Sequence, residues 1–156
     1  MLRLVAVLTV LFITPIESSA QSIQGVWKMV EREVQGDANA RIESGSQGQP
    51  SFLIYTEGYF MWSFLTGVEA RPFLSESPSD SELIGVWQQY NTPAGTYELK
   101  DRTLTYTRLV TLDPALMLPV NQPPIRQLVA LTATTLETSF TTADGVTTIL
   151  KYTRVE

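Results

Sequence analysis

The chain has 156 residues, 44% of them hydrophobic, which is enough for one domain with its own core and too apolar for a disordered protein. The sequence has a formal net charge of -5 and no run of lysine or arginine, so it lacks the basic footprint that binds nucleic acids, and its acidic surface argues against docking on anionic lipids. The absence of histidine and cysteine from the sequence excludes disulfides, Ser-His-Asp and Cys-His nucleophile systems, and zinc sites with nitrogen or sulfur ligands. We therefore expect no metal, no other cofactor and no nucleic-acid partner.

The first 20 residues have the pattern of a secretory signal peptide. Arg3 precedes an apolar run over residues 4–13, which is too short to span a bilayer comfortably. Small residues then lead up to Ala20, as a signal peptidase requires. We expect cleavage after Ala20 and one mature domain over residues 21–156. This domain is expected to be exported, periplasmic or secreted, without a stable membrane anchor.

The first predicted strand covers residues 23–34. Alternation along this strand places Trp27, Met29 and Glu31 on the same face. Residues 36–50 are rich in glycine, serine, asparagine and glutamine, so they are predicted to form a loop.

A hairpin is predicted next, with strands over residues 51–56 and 59–65 and a turn at Glu57 and Gly58. It carries apolar side chains on both faces, so it needs cover on both sides, one from the barrel interior and one from a helix or a partner chain. One predicted face combines Phe52, Ile54, Phe60, Trp62 and Phe64, and the other combines Leu53, Tyr55 and Met61.

A short helix is predicted after the third strand. Residues 79–82 have the form of a capping box, and apolar residues follow them at helical spacing. Pro93 indicates an end near Asn91, because helical geometry is disfavoured just before a proline. A strand over residues 83–90 is the alternative, since Gly85 weakens a helix by about 1 kcal/mol relative to alanine.

Five further strands are predicted after the helix. They cover residues 95–100, 103–112, 125–131, 135–142 and 146–155. Asp101-Arg102 and Asp144-Gly145 mark two tight turns, and the prolines within residues 114–124 mark a loop. Eight strands can close into a barrel just wide enough for side chains or one small ligand. The sequence thus predicts an all-β fold, an eight-stranded up-and-down antiparallel barrel with one short helix between the third and fourth strands.

Several segments carry a family resemblance. They are GVWKMV (25–30), PSFLIYTEGYFM (50–61), GTY (95–97), TYT (105–107), LDP (112–114) and LKYTR (150–154). In order and spacing they resemble the bacterial lipocalin-like domain family of the calycin group, over essentially the whole mature chain. The second segment is similar to the family pattern Pro-x-Gly-x-Leu-x-Tyr-Thr-x-Asp-Gly-x-Met, with Ser51 at a usual glycine and a turn one residue shorter. Tyr106 and Arg108 stand where the family often has histidines, so no role of those histidines is carried over.

The resemblance implies a structural signature at the closed end of the barrel. Gly25 and Trp27 would open the first strand there, and Arg154 of the last strand would lie across the indole. A guanidinium over a tryptophan face gains on the order of 0.5–2 kcal/mol by cation–π attraction. This role is structural, and we predict no catalytic residue.

Candidate ligand-binding residues are those that the alternation turns inward. Glu31 would need a cationic partner there, Arg108 or Arg126, and the pair would either hold a polar ligand head or form only an internal salt bridge. Three tyrosines either offer hydroxyl groups to a ligand or pack as ordinary core aromatics. The candidates are Glu31, Leu53, Tyr55, Met61, Tyr97, Tyr106 and Arg108.

Three functions remain open at this point. The first is a binding module that holds a small hydrophobic or amphipathic ligand in the barrel. The second, less favoured, is an isomerase or cyclase without a metal, which requires an inward Glu31 or Tyr106 with a perturbed pKa. The third is a solid barrel that acts through the outer face of residues 51–65, if the helix leaves it uncovered. A homodimer is compatible with the sequence, although no residue pattern argues for one.

Overall fold

The computed structural model of the protein describes residues 21–36, 40–44, 50–65 and 73–156. The predicted signal peptide, residues 1–20, lies outside the described residues. No helix in the described part is long and apolar enough to cross a membrane.

The described chain consists of short strands and a few helical segments. The elements are β1 (Gly25–Gln35), β2 (Arg41–Ser44), β3 (Phe52–Tyr55), β4 (Tyr59–Leu65), α1 (Asp80–Gln88), β5 (Tyr90–Asn91), β6 (Ala94–Lys100), β7 (Thr103–Val110), β8 (Arg126–Leu131), β9 (Thr135–Thr141) and β10 (Thr147–Arg154). Two short 3-10 helices, Pro114–Met117 and Pro119–Asn121, lie between β7 and β8.

Eight of these strands form a closed antiparallel barrel. Their order is β1-β3-β4-β6-β7-β8-β9-β10, and β10 pairs with β1 to close it. This confirms the predicted eight-stranded up-and-down barrel with one short helix between its third and fourth strands. The composition of residues 36–50 predicts a loop, and this prediction is wrong for β2 (Arg41–Ser44). This short strand pairs with the second half of β1.

The predicted tight turns are present. Gly58 and Gly145 have φ angles of 79° and 86°, in the left-handed region that glycine adopts easily. Asp101 and Arg102 also have positive φ angles, 48° and 67°, which a two-residue turn of the hairpin type requires. These turns join consecutive barrel strands and so favour the up-and-down order.

A β-bulge at Val30 changes which side chains of β1 face the interior. Met29 stands opposite Tyr152 of β10, but Glu31 stands opposite Lys151, so Val30 has no partner on that strand. Tyr152 is buried in the core, and Lys151 next to it points to the outer face. The prediction that Glu31 follows Met29 inward is therefore wrong, because the extra residue reverses the alternation.

The hairpin of β3 and β4 contributes a buried aromatic wall. Tyr55 stands opposite Phe60 and Leu53 opposite Trp62, and all four side chains are buried. Met61 lies on the opposite face of β4 and is 41% exposed. The prediction placed Leu53 and Tyr55 on the opposite face from Phe60 and Trp62. It is wrong, because the register across the turn places these four side chains on the same face.

Helix α1 begins with the predicted capping box. The Glu82 N–H donates to the Ser79 hydroxyl at 3.4 Å, and the Ser79 N–H donates to the Glu82 carboxylate at 2.8 Å. None of the helix side chains is buried, and Trp87 is 63% exposed. The helix therefore does not supply the cover that the sequence predicted for the outer face of the hairpin.

The core lies in the barrel interior. Its buried members are Ile23, Trp27, Leu53, Tyr55, Phe60, Trp62, Leu104, Tyr106, Leu128, Leu136, Leu150 and Tyr152. The indole N–H of Trp27 donates to the carbonyl of Ile23 at 2.8 Å, so this fully buried ring has its polar atom satisfied. The aromatic half of this core surrounds the site described next.

Candidate functional site

A buried arginine lies inside the barrel. Arg126 is the first residue of β8, stands opposite the buried Leu104 of β7, and is 8% exposed. Its guanidinium carbon lies 4.1 Å from the ring centroid of Trp62, 5.6 Å from that of Tyr106 and 5.5 Å from that of Phe140. Three aromatic rings thus hold the cation by cation–π attraction.

Three tyrosine hydroxyl groups accompany this cation. The Tyr152 hydroxyl hydrogen-bonds to Arg126, and the Tyr55 and Tyr106 hydroxyls hydrogen-bond to each other. Burial raises the pKa of Tyr106 to about 12 and also raises the pKa values of Tyr55 and Tyr152, although the charge of Arg126 opposes the rise. The three hydroxyl groups are therefore neutral at physiological pH and can donate hydrogen bonds.

The charge of Arg126 has no carboxylate partner among the described side chains. Within the described residues, its Nε and Nη1 atoms have no hydrogen-bond acceptor, and neither does Nε1 of Trp62. Burial lowers the pKa of Arg126, but the Tyr152, Tyr106 and Tyr55 hydroxyl groups raise it overall, and the guanidinium stays charged. A buried cation with surplus donors has the chemistry to bind a negatively charged group.

Arg108 brings a second cation close to the first. It shares a face of β7 with Tyr106 and is half-buried. Its Nη1 donates to the carbonyl of Asn121 at 2.9 Å, and its main-chain N–H donates to Oε1 of Gln122 at 2.7 Å. Burial lowers the pKa of Arg108, and the charge of Arg126 lowers it further. The loop between β7 and β8 therefore holds Arg108 at the edge of the site, while Arg126 lies within it.

Several predicted site residues do come together in the interior. Leu53, Tyr55 and Tyr106 are all buried there. The ring of Tyr97 packs edge-on against Tyr55 with 4.7 Å between centroids, but its hydroxyl donates to the carbonyl of Thr56 at 3.0 Å. Tyr97 thus supports the aromatic wall, and its hydroxyl is already used.

Glu31 and Met61 do not belong to this site. Oε1 of Glu31 lies 2.5 Å from Nζ of Lys151 on the outer face, and Oε2 of Glu33 lies 3.9 Å from the same atom. The hydrogen bond from Lys151 to Glu31 raises the pKa of Lys151. The bulge in β1 turned Glu31 outward, and the register of the hairpin turned Met61 outward.

Sequence reasoning missed the centre of the site. Arg126 entered only as a possible partner of Glu31, and Trp62, Phe140 and Tyr152 were not among the candidates. One signal was available: Arg126 alternates in phase with Leu128, which is buried on the same strand. A charged residue that alternates in phase with a buried leucine indicates an inward charge, provided that both residues lie in the same strand.

A second arginine lies on a tryptophan at the end of the barrel where β1 begins and β10 ends. The guanidinium carbon of Arg154 lies 4.1 Å from the ring centroid of Trp27. Its three nitrogens donate to the main-chain carbonyls of Ala133 at 2.7 Å, Gln24 at 2.5 Å and Ser22 at 2.8 Å. This is the arrangement that the resemblance implies, and it ties the last strand to the residues before the first.

Gly25 makes that arrangement sterically possible. Its φ angle of 137° is unfavourable for other residues. A Cβ atom at this position would collide with Nη1 of Arg154 and with the carbonyl oxygen of Glu156.

Comparisons with known proteins do not identify a family for this chain. No protein-family model matches the chain, and a comparison with curated proteins finds no match. The chain is similar to the crystal structure of an uncharacterized protein from Bacteroides eggerthii, with a TM-score of 0.45 and 14% identity over 82% of this chain and 97% of that chain. It is also similar to a redesigned β-barrel, with a TM-score of 0.43 and 14% identity over 85% of this chain and 91% of that chain. The closed eight-stranded barrel fits a calycin-like fold.

Proposed function

We propose that this protein is an exported lipocalin-like barrel that binds one small hydrophobic or amphipathic molecule in its interior. The observation that carries the proposal is Arg126, a buried cation whose Nε and Nη1 atoms have no acceptor within the described residues. Aromatic rings and the Tyr152 hydroxyl contact this cation, but none of these groups carries a negative charge. Burying a charge without an anionic partner is costly for a purely structural core. A ligand that supplies the acceptor would account for it.

Binding would be an equilibrium capture with two contributions. The aromatic and aliphatic wall, including Trp62 and Phe140, would remove apolar ligand surface from water, at roughly 25 cal/mol per Å². The few polar groups of the site, Arg126 with Tyr55, Tyr106 and Tyr152, would fix the orientation of the ligand.

Export is supported by the signal-peptide pattern of residues 1–20. Expression of the whole chain in a host with a secretory pathway should yield a mature protein that begins at Gln21. Intact-mass analysis of the secreted fraction tests this directly. A protein retained in the cell with residues 1–20 still attached would contradict export.

The binding proposal is tested by native mass spectrometry of the mature protein, purified from the compartment into which it is exported. Denaturation should then release a small molecule in a one-to-one ratio, and its analysis would name the class of ligand. A protein that carries no molecule, and whose tryptophan fluorescence is unchanged by a panel of hydrophobic and amphipathic compounds, would contradict the proposal.

A second candidate function is a contact with another protein through the outer surface. One observation favours it: α1 leaves Leu83, Ile84 and Trp87 exposed, by 44%, 55% and 63%. A homodimer or a complex seen by sedimentation of the ligand-free protein, and lost when Trp87 is replaced by serine, would support this candidate. Sedimentation as a monomer at all concentrations would contradict the homodimer.

Catalysis is less well supported by the geometry. Glu31, one of the two alternative residues for an enzyme, faces outward. The other, Tyr106, has its pKa raised by burial to about 12, so it is almost never deprotonated at neutral pH and is a poor general base.

A further inference from the structure

We infer that the molecule bound in the barrel carries one carboxylate group and that the guanidinium of Arg126 holds it. This inference rests on the proposed binding function and adds the chemical class of the ligand. It stands on the position of Arg126 among Trp62, Tyr106 and Phe140, and on the donors there that lack an acceptor within the described part of the chain.

The charge of the site selects an anion. A neutral ligand would leave Arg126 buried and unpaired, and a cationic ligand would add a second positive charge beside it. Arg108 adds a second positive charge at the edge of the site, and burial together with the charge of Arg126 lowers its pKa. A carboxylate carries a single negative charge, which neutralises Arg126, and its oxygens accept hydrogen bonds, as the donors of Arg126 without an acceptor in the described residues require. A carboxylate is therefore the group that the site fits.

A guanidinium that lies on an aromatic face still has N–H groups that can donate to an acceptor. Such a cation presents one face to the ring, here that of Trp62 at 4.1 Å, while its N–H groups point outward in its own plane. The cation–π contact and a hydrogen-bonded carboxylate can thus coexist. Nε and Nη1 of Arg126 are the nitrogens without an acceptor in the described residues, and charge-assisted hydrogen bonds of this kind are the strong ones.

The experiment compares carboxylates with neutral molecules of the same shape. The probes are decanoate against 1-decanol and 2-naphthoate against 2-naphthamide, titrated into the mature protein and followed by tryptophan fluorescence and calorimetry. The variants are Arg126→Met, which removes the charge, and Arg126→Lys, which keeps it. Lys100→Met is the matched control, since it removes one positive charge from an exposed position at the end of β6.

The wild type and Lys100→Met should bind the carboxylate of at least one pair at least about tenfold more tightly than its neutral partner, because a charge-assisted hydrogen bond to a buried cation is worth this much. Arg126→Met should lose the preference, and Arg126→Lys should keep part of it. If Arg126→Met does not fold, the inference is tested on the wild type and Arg126→Lys alone. It is supported if the wild type prefers the carboxylate and Arg126→Lys keeps part of this preference.

Equal binding of both members of each pair, or a preference that survives in Arg126→Met, would overturn the carboxylate inference and leave the binding function intact. If no probe binds, the molecule released from the native protein decides. An acid would support the inference, and a neutral or cationic molecule would overturn it. If no probe binds and no molecule is released, the binding function and the inference fail together.

Discussion

The guanidinium of Arg126 lies over the indole of Trp62 at 4.1 Å, the same separation that Arg154 keeps from Trp27 at the start of β1. The two stacks differ in their hydrogen bonds. All three nitrogens of Arg154 donate to main-chain carbonyls, whereas two nitrogens of Arg126 have no acceptor among the described residues. The stack of Arg154 on Trp27 therefore ties the last strand to the start of the first. The stack of Arg126 on Trp62 leaves hydrogen-bond donors that a ligand could use.

The stack of Arg154 on Trp27 should be essential for stability. Replacing Arg154 by glutamine removes the cation–π contact with Trp27 and the hydrogen bonds to three carbonyls, so the free energy of unfolding should fall by about 2–4 kcal/mol. Urea denaturation of the mature protein measures this. Arg154→Lys is the control, since it keeps a cation near the ring but cannot reach three acceptors, and it should lose an intermediate amount. A loss below about 1 kcal/mol in Arg154→Gln would contradict the structural role.

The stack of Arg126 on Trp62 should not be essential for stability. Arg126→Met keeps an unbranched side chain of similar length and removes a buried charge that has no carboxylate partner in the described part of the chain. The free energy of unfolding of the ligand-free variant should therefore stay within about 1 kcal/mol of the wild type or rise above it. The same urea experiment tests this, with Arg154→Gln as the contrasting case. A loss above about 3 kcal/mol would show that Arg126 serves the fold.

The barrel itself was predictable because its signals are local. Strand alternation, the turn residues Gly58 and Gly145 and the Asp101-Arg102 pair each depend on a few neighbouring residues, and each appears in the structure. The capping box that begins α1 is equally local. The short strand β2 was missed because its pairing with β1, not its composition, makes it a strand.

The site was only partly predictable because it depends on long-range register. The bulge at Val30 follows from the pairing of β1 with β10, which lies more than 100 residues further along the chain, and no feature of β1 announces it. It turned Glu31 outward. The inward position of Arg126 likewise depends on which face of β8 points inward, and Ile125, Val129 and Leu131 make the other alternating face of this segment just as apolar.

Because Glu31 points outward, we expect that it does not contact the ligand. Glu31→Gln should leave the affinity for carboxylate and neutral probes within about twofold of the wild type, because the side chain pairs with Lys151 on the outer surface. Calorimetric titration measures this, and Arg126→Met is the positive control in the same series. A large change in affinity would mean that Glu31 reaches the ligand.

Two glycines should respond in opposite ways to the same substitution. A Cβ atom on Gly95 would collide with the main-chain oxygen of Thr107 on the neighbouring strand, whereas a Cβ atom on Gly85 of α1 meets nothing within 4 Å. Gly95→Ala should therefore lower the free energy of unfolding by about 2 kcal/mol or more, because the backbones of β6 and β7 must separate. Gly85→Ala should raise it by up to about 1 kcal/mol through helix propensity. Chemical denaturation of both variants measures the pair, and a tolerated Gly95→Ala would contradict the close approach of the strands.

The buried tyrosines should make the protein sensitive to alkaline pH. Burial raises the pKa of Tyr106 from its ordinary value of 10.0 to about 12 in the folded state, even though Arg126 opposes the rise. The folded state therefore holds this proton more tightly than the unfolded state does. The resulting stability is fully present below pH 10 and is lost as the pH rises towards about 12, by up to roughly 3 kcal/mol.

Urea denaturation at pH 9 and pH 11 measures this loss, and Tyr106→Phe is the matched variant because it lacks only the hydroxyl. The variant should lose less stability between the two pH values than the wild type. The remaining loss should come from Tyr55 and Tyr152, whose pKa values are also raised by burial. Equal losses in both proteins would mean that the Tyr106 hydroxyl titrates like an exposed one, and that the aromatic wall around Arg126 is open to water.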